Sequence, residues 1–415
     1  MSEKWISIRS RESTKPFSGR FCLATLRLCV IFLLLGTIRD ACAQENKDEP
    51  KPAPRVVGTV IFPPRLDVQR KSSALELFAI EVAHPIAKTG ENQSVNAEEM
   101  SRKALDFIRR SQQADGSWGD KQWPQNVGVT ALCCLALFAE GNLPNVGPSG
   151  RQLTRGLEFL LDHAREDGQI VSRDVYRLGP MYDHSWATLC LLQAYGNMPW
   201  RRDMRDKISL AIQLLLKYQK VDGGWRYKMM REGASDTLVT VNVLYSLRLG
   251  VRVGFAVPQE SSDRALAFIN SQAEQEGDQF TGWWRYRAGG EIGSPTVAAC
   301  GAIALFMNAK DTSDFEDPKI KATIDTLRYV HDRYTVNDLL EMPYVHYGAF
   351  YGSQAMYNAG NENWHPYFKK MLEVFAASQK SDGQFEDHMG NTVYPTATVA
   401  IVLLAPKGFL PLYLR

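Results

Sequence analysis

The sequence predicts an all-α protein, an (α/α)6 toroid in which six amphipathic helices surround six apolar helices in a closed double ring. One segment style recurs with a period of roughly fifty residues, which is the signature of a repeat architecture. Each copy pairs an amphipathic helix with a nearly all-apolar one. Closure of the ring leaves no terminal repeat with an exposed apolar face. Few period-two alternations are present, so strands are not indicated.

Residues 1–43 have the composition of a secretory leader. A basic segment ends at Arg20, an apolar run extends from Leu23 to Ile38, and Ala41-Cys42-Ala43 is a small-residue cleavage site. We expect export to the periplasm or the extracellular space, with Gln44 as the first mature residue. An uncleaved membrane anchor is the alternative.

Residues 44–96 read as a linker with one short helix, because they hold proline clusters and a polar stretch before the repeats begin. Residues 97–415 form the expected toroid. Residues 1–43 hold seven Lys or Arg and three Asp or Glu, so the rest of the chain carries 41 basic and 43 acidic residues. This near-neutral balance gives no electrostatic footprint for nucleic acid. Peripheral membrane contact and the oligomeric state stay open.

The helices alternate in type along the toroid. In the first repeat, the amphipathic helix exposes Arg102 and Arg109 and turns Leu105 and Ile108 inward. The following run, 129–138, is apolar nearly all round and must be buried all round. Further outer helices are expected to begin near Leu153, Arg205, Ser262, Lys319 and Tyr367. Further inner helices are expected to begin near Ser185, Thr237, Thr296, Gly348 and Thr396.

A short Asp-Gly-aromatic turn joins the two helices of a repeat. Its copies are Asp115-Gly116-Ser117-Trp118, Asp167-Gly168-Gln169, Asp222-Gly223-Gly224-Trp225, a looser Gly282-Trp283-Trp284, and Asp382-Gly383-Gln384-Phe385. A glutamine precedes the turn in several copies, for example Gln112, Gln219 and Gln379. Such a side chain can bond backbone groups of a neighbouring helix, and glycine permits the left-handed turn.

This spacing of helix, glutamine, glycine and aromatic residue resembles the QW repeat of squalene–hopene cyclases and protein prenyltransferase β-subunits. The resemblance covers roughly residues 97–415. Connecting stretches such as His184-Ser185-Trp186-Ala187-Thr188-Leu189 are closer still to exported squalene-cyclase-like repeat proteins of planctomycete-type bacteria. The resemblance implies a terpenoid cyclase-like double ring of helices, but a fold does not fix its chemistry.

The motifs that carry chemistry in those families are absent from this sequence. It contains no Asp-x-Asp-Asp, which supplies the strong acid of class II terpene cyclases, and no Asp-Asp-x-x-Asp to hold magnesium. His184 is similar to a zinc-binding histidine of the prenyltransferases, yet no Asp-x-Cys accompanies it. We therefore expect neither a metal nor a cofactor, and whether the protein is an enzyme stays open.

The loops between outer and inner helices converge on one rim of such a ring, so their aromatic and charged residues are the site candidates. Asp183, His184 and Asp236 are weak candidates for catalysis. The alternative for the first two is an N-cap with a satisfied histidine. The candidates for ligand binding are Tyr182, Trp186, Arg226, Tyr227, Trp284, Tyr286, His346, Tyr347, Tyr351 and His388.

Three functions compete on this sequence. The favoured one is a binding module that holds an apolar or isoprenoid-like ligand in the central cavity. The second is a carbohydrate-active (α/α)6 enzyme, a glycosidase or lyase, with Asp183, Asp236 and Asp387 as acids and Arg226 or Arg285 as a charge stabiliser. The third is an interaction scaffold whose own side chains fill the axis.

Overall fold

The structure is a computed structural model that describes residues 91–121, 123–172, 179–309, 315–408 and 410. The predicted secretory leader, and the predicted linker up to residue 90, lie outside these ranges. So does the end of the chain from residue 411.

Twelve long helices alternate between an outer and an inner type over the described residues. Numbered in chain order, the outer helices are α1 (Glu91–Ser111), α3 (Gly150–Asp162), α5 (Met204–Lys217), α7 (Gln259–Asn270), α9 (Pro318–Arg333) and α12 (Asn361–Ser378). The inner helices are α2 (Val127–Ala139), α4 (Pro180–Ala194), α6 (Thr237–Arg252), α8 (Pro295–Asn308), α11 (Val345–Asn358) and α13 (Val393–Leu404). A short 3-10 helix, Ala405–Lys407, follows α13.

The inner helices form a closed ring. Helix α2 packs on α4, α4 on α6, α6 on α8, α8 on α11 and α11 on α13, and α13 returns to α2. Outer helix α1 also packs on α13, so the first and last helices lie side by side. All thirteen residues of α2 are buried, whereas α3 buries one face. The predicted (α/α)6 toroid is therefore confirmed.

The glutamines before the turns link consecutive repeats. The Gln112 side chain donates to the carbonyl of Gly116 in its own turn and to the carbonyl of Gln152 in the next outer helix, at 2.9 and 2.8 Å. Gln219 makes the same pair of bonds to Gly223 and Ser261. One amide group thus fixes both the turn and the position of the following outer helix.

Gln379 and Gly383 repeat this joint where the ring closes. Gln379 donates to the carbonyls of Gly383 and of Met100 in α1. Gly383 has a φ of 92°, and a β-carbon there would lie 2.2 Å from the Lys103 carbonyl oxygen. Glycine is required by both the left-handed backbone and the close approach of α1. The last repeat is therefore joined to the first as tightly as sequence neighbours are joined.

Two repeats depart from the common pattern. In the fourth, an antiparallel hairpin of β1 (Ala273–Glu276) and β2 (Gln279–Trp284) replaces the expected loose turn, with Gly277 at its tip. In the fifth, the short helix α10 (Val336–Leu340) takes the place of the turn, and a Thr335–Asp338 capping box begins it. Helix α1 also starts at Glu91, six residues before the expected start, because a polar first turn gives no apolar signal.

Among the described residues, none of the helices has both the length and the apolar character needed to span a membrane.

Candidate functional site

The N-terminal ends of the inner helices form one end of the ring, which we call the mouth. Each inner helix follows a loop from its outer helix, so all six run in the same direction. The start of one inner helix is capped by groups from the repeat that follows it. The Met181 amide of α4 donates to the Tyr227 carbonyl, and the Thr237 amide of α6 donates to the Tyr286 carbonyl. The mouth is therefore where neighbouring repeats interlock.

Asp183 acts as such a cap. Its Oδ1 accepts a hydrogen bond from the Gly128 amide at the start of α2, at 3.1 Å. Its Oδ2 accepts from the amide and the hydroxyl of Ser172, at 3.0 and 2.6 Å. Burial raises the pKa of this carboxyl, while the bonds from Ser172 and Gly128 oppose the rise. Both oxygens are therefore occupied by the fold. The N-cap of α4 itself is Gly179, so Asp183 stabilises the start of the neighbouring helix α2 rather than of its own.

His184 is fully buried and both of its ring nitrogens have partners. Nδ1 accepts from the Ile170 amide at 3.2 Å, and Nε2 lies 3.0 Å from the Ala211 carbonyl oxygen and donates to it. Burial lowers the pKa of His184 to about 4, so the ring is neutral. In the first repeat, Trp118 occupies the position of Ile170, and its amide donates a hydrogen bond to the Thr130 hydroxyl at 2.9 Å. His184 thus takes the structural place that threonine holds elsewhere in the ring.

Asp236 differs from Asp183 because half of its carboxylate is unused. It is the N-cap of α6, and its Oδ1 accepts from the Val239 amide at 2.9 Å. Its Oδ2 is buried and has no hydrogen-bond partner among the described residues. Burial raises the pKa of Asp236 to about 7, against the opposing effect of Arg226. A buried, unpaired carboxylate oxygen is costly, so it points to a ligand contact or to a proton held on that oxygen.

Asp236 and four tyrosines that interact with it or with one another form what we call the mouth cluster: Tyr182, Tyr227, Asp236, Tyr286 and Tyr347. The rings of Tyr182 and Tyr227 lie 5.7 Å apart, and the hydroxyls of Tyr227 and Tyr286 are hydrogen-bonded to each other. Burial and the Asp236 charge raise the pKa values of the Tyr182, Tyr227 and Tyr286 phenols. The neighbouring Tyr347 phenol raises that of Tyr182 further. The cluster therefore presents neutral hydroxyls on aromatic walls.

The Arg226 guanidinium lies over the ring of Tyr227, with 5.6 Å between its central carbon and the ring centroid. Arg226 is half-buried. Its positive charge lowers the pKa of Asp236, and among the nearby cations it has the largest such effect. Among the described residues it forms no ion pair with Asp236, so its guanidinium can meet a polar group of a ligand.

Below the mouth cluster the axis is crossed by side chains of the protein itself. Tyr351 donates to the Asn242 side-chain oxygen, and its hydroxyl lies 3.0 Å from that of Tyr347. Deeper, Trp186 of α4 contacts Phe350 of α11 with 5.5 Å between ring centroids. These two helices are on opposite sides of the ring. The central space expected along the whole axis is filled at this depth.

Three other candidates contact residues outside the mouth cluster. Trp284 is buried between α8 and α9, where its indole nitrogen donates to the Thr323 hydroxyl at 2.8 Å. His346 is 2% exposed, and neither of its ring nitrogens has a partner among the described residues. His388 is exposed and meets the Tyr344 ring edge-on at 4.4 Å. The structure therefore brings together only part of the predicted set.

The sequence interpretation did not single out Asn242, Tyr245 or Gln354. These polar groups on α6 and α11 bond across the ring: Asn242 to Tyr347 and Tyr351, and Tyr245 to Gln354. The signal that could have revealed them is a lone amide within an otherwise apolar inner helix, since a buried amide must find a partner.

The geometry also decides between the acids proposed for carbohydrate chemistry. Asp387 accepts from the Asn391 amide at 2.8 Å and from the Tyr394 hydroxyl at 2.9 Å, using both oxygens. Asp183 is likewise committed, which leaves Asp236 alone with an unpaired oxygen among these three. Within the described ranges, no three His, Cys, Asp or Glu side chains converge as metal ligands.

No family model matches this chain. At the level of sequence, the chain is similar to lanosterol synthase from Aspergillus fumigatus, with 28% identity over 137 residues. That match covers 30% of this chain and 16% of the synthase, so the chain corresponds to a small part of that relative. The expected resemblance to the squalene cyclase-like superfamily is confirmed by this match together with the fold.

Among solved structures, the GH76A α-1,6-mannanase from Salegentibacter sp. HEL1_6 is similar with a TM-score of 0.54 and 10% identity, over 77% of this chain and 100% of that one. A type II terpene cyclase from Scytonema, bound to geranylgeranyl dihydroxybenzoate, gives a TM-score of 0.50 and 14% identity, over 77% of this chain and 99% of that one. These likenesses establish the toroid fold. The two proteins take different ligand classes, so the fold alone leaves the ligand undecided.

Proposed function

We propose that this toroid is a binding module for an uncharged amphiphile, with an isoprenoid-type apolar body and a hydroxyl head group held in the mouth cluster. The observation that carries the proposal is the unpaired, buried Oδ2 of Asp236, together with the Asp236 charge that acts on the phenols of Tyr182, Tyr227 and Tyr286. A ligand hydroxyl is both a donor and an acceptor, so it can satisfy this oxygen and a phenol together.

The depth of the site supports a ligand at the mouth rather than one threaded along the axis. The Trp186–Phe350 contact crosses the ring below the cluster. The walls above it are the faces and edges of Tyr182 and Tyr227. Aromatic walls with a few hydrogen-bonding groups are typical of small-molecule sites. The apolar body would lie on these rings while the head group reaches Asp236.

The isoprenoid class is supported by the similarity at the level of sequence, which is to lanosterol synthase. Binding without turnover is supported by the residues. The chain has no Asp-x-Asp-Asp acid. In Asp183 and Asp387, both carboxylate oxygens already accept hydrogen bonds from the protein itself. Hydrolysis of a glycoside ordinarily needs two working carboxyl groups.

The experiment is a titration of the purified protein with matched ligands, followed by tryptophan fluorescence and thermal shift. The panel is farnesol, a triterpenoid alcohol, the hydrocarbon corresponding to each, and α-1,6-mannotriose. We expect the alcohols to bind about tenfold more tightly than the hydrocarbons, which lack the charge-assisted bond to Asp236. Tyr286→Phe should weaken alcohol binding, while Tyr334→Phe, on an exposed tyrosine that is not part of the mouth cluster, should leave it unchanged.

Equal affinity for alcohol and hydrocarbon would remove Asp236 from the site. No binding of either class would favour the scaffold function, since the axis is already filled by side chains. Binding of mannotriose alone would replace the isoprenoid class with a carbohydrate.

A carbohydrate-active enzyme is the second candidate, because a carboxyl with a pKa of about 7 suits general acid or base catalysis near neutral pH. Its test is the release of reducing ends from α-1,6-mannan. Asp236→Asn should abolish that release if the carboxyl is catalytic. Release that survives in Asp236→Asn would exclude this role.

We also propose that the protein is exported, on the basis of the leader-like residues 1–43. Expression of the full chain in a bacterial host, with N-terminal sequencing of the periplasmic fraction, tests this. We expect a chain that begins at Gln44. Full-length chain recovered from the membrane fraction would instead support the anchor.

A further inference from the structure

A cavity lies on the outside of the ring, away from the mouth cluster. It has a volume of about 450 Å³ and is bounded by outer helices α9 and α12, with Met356 of α11 at its inner side. This volume is within the range of small-molecule sites. The cavity occurs at the fifth joint of the ring, where α10 replaces the usual turn. At other joints, a turn glycine such as Gly116 or Gly223 packs closely against the backbone of the next outer helix.

The inner wall of this outer cavity holds buried polar atoms without partners. Asn363 is 7% exposed, and its side-chain nitrogen donates to the Ala359 carbonyl at 2.9 Å. Its side-chain oxygen is buried and has no partner among the described residues, and the same is true of Nδ1 of His331. The His331 ring stands edge-on to Tyr367 at 4.4 Å, which fixes its orientation. Native proteins rarely leave such groups unsatisfied, and both residues line this one cavity.

Pro366 removes one backbone hydrogen bond within α12. Proline has no amide hydrogen, so it cannot donate to the carbonyl of Glu362 four residues earlier. Glu362, Asn363 and Pro366 all line the cavity. The α12 side therefore offers the unpaired Asn363 amide oxygen, and the Glu362 carbonyl lacks its usual donor in the helix. Both acceptors suit a ligand rich in N–H donors.

The rim of the outer cavity carries both signs of charge in equal number: Arg328, Asp332, Glu362, Lys369, Lys370 and Glu373. Lys369, Lys370, Glu362, Asp332 and Glu373 form no ion pair within the described part of the chain. A net charge of zero on the rim attracts neither a simple cation nor a simple anion. Separate positive and negative groups suit a ligand that carries both charges.

We propose that this outer cavity is a binding site for a small zwitterion of the amino-acid or dipeptide class. The ammonium group of the ligand is held by the acceptors of Asn363 and Glu362 and by the rim carboxylates. Its carboxylate is held by Arg328, Lys369 and Lys370. The site is separate from the mouth cluster, so it stands whether or not an amphiphile binds there.

The test is calorimetric titration of the purified protein with alanylalanine and two capped forms of it. N-acetyl-alanylalanine lacks the ammonium charge, and alanylalanine amide lacks the carboxylate. We expect alanylalanine to bind and each capped form to bind at least about tenfold more weakly, since each loses a charge-assisted bond. Equal binding of all three forms, preference for one capped form, or no heat with any of them would overturn the proposal.

Variants locate the binding. Lys370→Gln and Glu373→Gln should each weaken alanylalanine about tenfold, because each removes one rim charge. Lys380→Gln makes the same chemical change as Lys370→Gln just beyond the end of α12 and outside the cavity, and it should bind as the parent does. All three are surface changes, so thermal unfolding should match the parent. A loss of affinity in Lys380→Gln equal to that in Lys370→Gln would place the binding elsewhere.

Discussion

Trp186 and Phe350 contact each other across the axis of the inner ring, although α4 and α11 are three helices apart around it. Both side chains are buried, at 3% and 0% exposure. They act as a floor beneath the mouth cluster and divide the ring into a shallow site above and a packed core below.

Removal of this floor should be costly and should open the axis. Phe350→Ala is expected to lower the free energy of unfolding by about 3–5 kcal/mol, because it deletes a buried ring and leaves a void. The void is apolar and should bind xenon or benzene. Urea denaturation measures the first effect and xenon-soaked crystals the second. Tyr334→Ala, at an exposed tyrosine, is the control and should cost less than about 1 kcal/mol. An equal cost for both variants would show that the axis is not packed at Phe350.

Asp236→Asn should change how stability depends on pH. The folded pKa is raised to about 7, whereas an unfolded aspartate has a value of 3.8. Between these values the folded state holds a proton that the unfolded state has released, so the parent loses stability as the pH rises from about 4 to 7. The asparagine of the variant can still cap α6, as Asn126 caps α2, and it does not titrate. Above pH 7, the free energy of unfolding of the variant should therefore exceed that of the parent by up to about 4 kcal/mol.

Thermal unfolding of the parent and the variant from pH 4 to 8 measures this difference. Asp183→Asn is the comparison, because its carboxylate oxygens already accept hydrogen bonds from Ser172 and Gly128. That change should destabilise the protein instead, since an amide nitrogen cannot accept the bond that an oxygen received. A constant offset between parent and Asp236→Asn at every pH would contradict the assigned pKa.

His346→Phe should stabilise the protein, and more so in acid. Neither ring nitrogen of His346 has a partner within the described residues, and the ring already meets Phe385 at 5.7 Å. Burial lowers its pKa to about 4 from 6.5, so the unfolded chain takes up the proton first as the pH falls. The parent therefore loses up to about 3 kcal/mol between pH 6.5 and 4 from this residue. Denaturant unfolding at pH 7 and pH 5 should show a larger gain at pH 5.

A loss of stability in His346→Phe, or a gain that is smaller at pH 5 than at pH 7, would show that His346 is charged or hydrogen-bonded in the folded state. His331 and His184 have pKa values lowered by burial in the same way and remain in the variant, so part of the acid sensitivity should persist.

Gly383→Ala should weaken the joint that closes the ring. The added methyl group would meet the Lys103 carbonyl oxygen at 2.2 Å in addition to the strain of a φ of 92°. Gly196 is the matched control, because its φ is 89° and nothing lies within 4 Å of a β-carbon there. We expect the free energy of unfolding to fall by about 1 kcal/mol in Gly196→Ala, from backbone strain alone, and by at least about 3 kcal/mol in Gly383→Ala. Equal melting temperatures of the two variants would show that α1 does not press on this turn.

The fold could be predicted because its signals are local and repeated. The burial of α2 on all sides follows from its composition, and eight of the ten other predicted helix starts lie within three residues of the observed ones. Helices α4 and α12 begin five and six residues before the expected Ser185 and Tyr367. The hairpin β1–β2 escaped prediction because its first strand, Ala273–Glu276, is short and polar. Helix α10 escaped it for a related reason, since five residues are too few to show a period.

The site was less predictable because it depends on which partner each polar atom finds. The sequence places Asp183 and Asp236 alike at the starts of inner helices. Only the structure shows that Ser172 and Gly128 occupy the first carboxylate, while Oδ2 of the second stays unpaired. Likewise, Trp186 and Tyr182 are close in sequence, yet one crosses the axis and the other lines the mouth.

The bond from Gln379 to the Met100 carbonyl joins residues 279 positions apart. During synthesis on the ribosome, α1 emerges first, but its apolar side is not covered until α12 and α13 have been synthesised. Long-range closure of this kind is slow, and until it occurs the exposed apolar surface can associate incorrectly. A circular permutant with new ends at Gly196, whose surroundings are open, would make the Gln379–Met100 joint within one continuous stretch and shorten that exposed period.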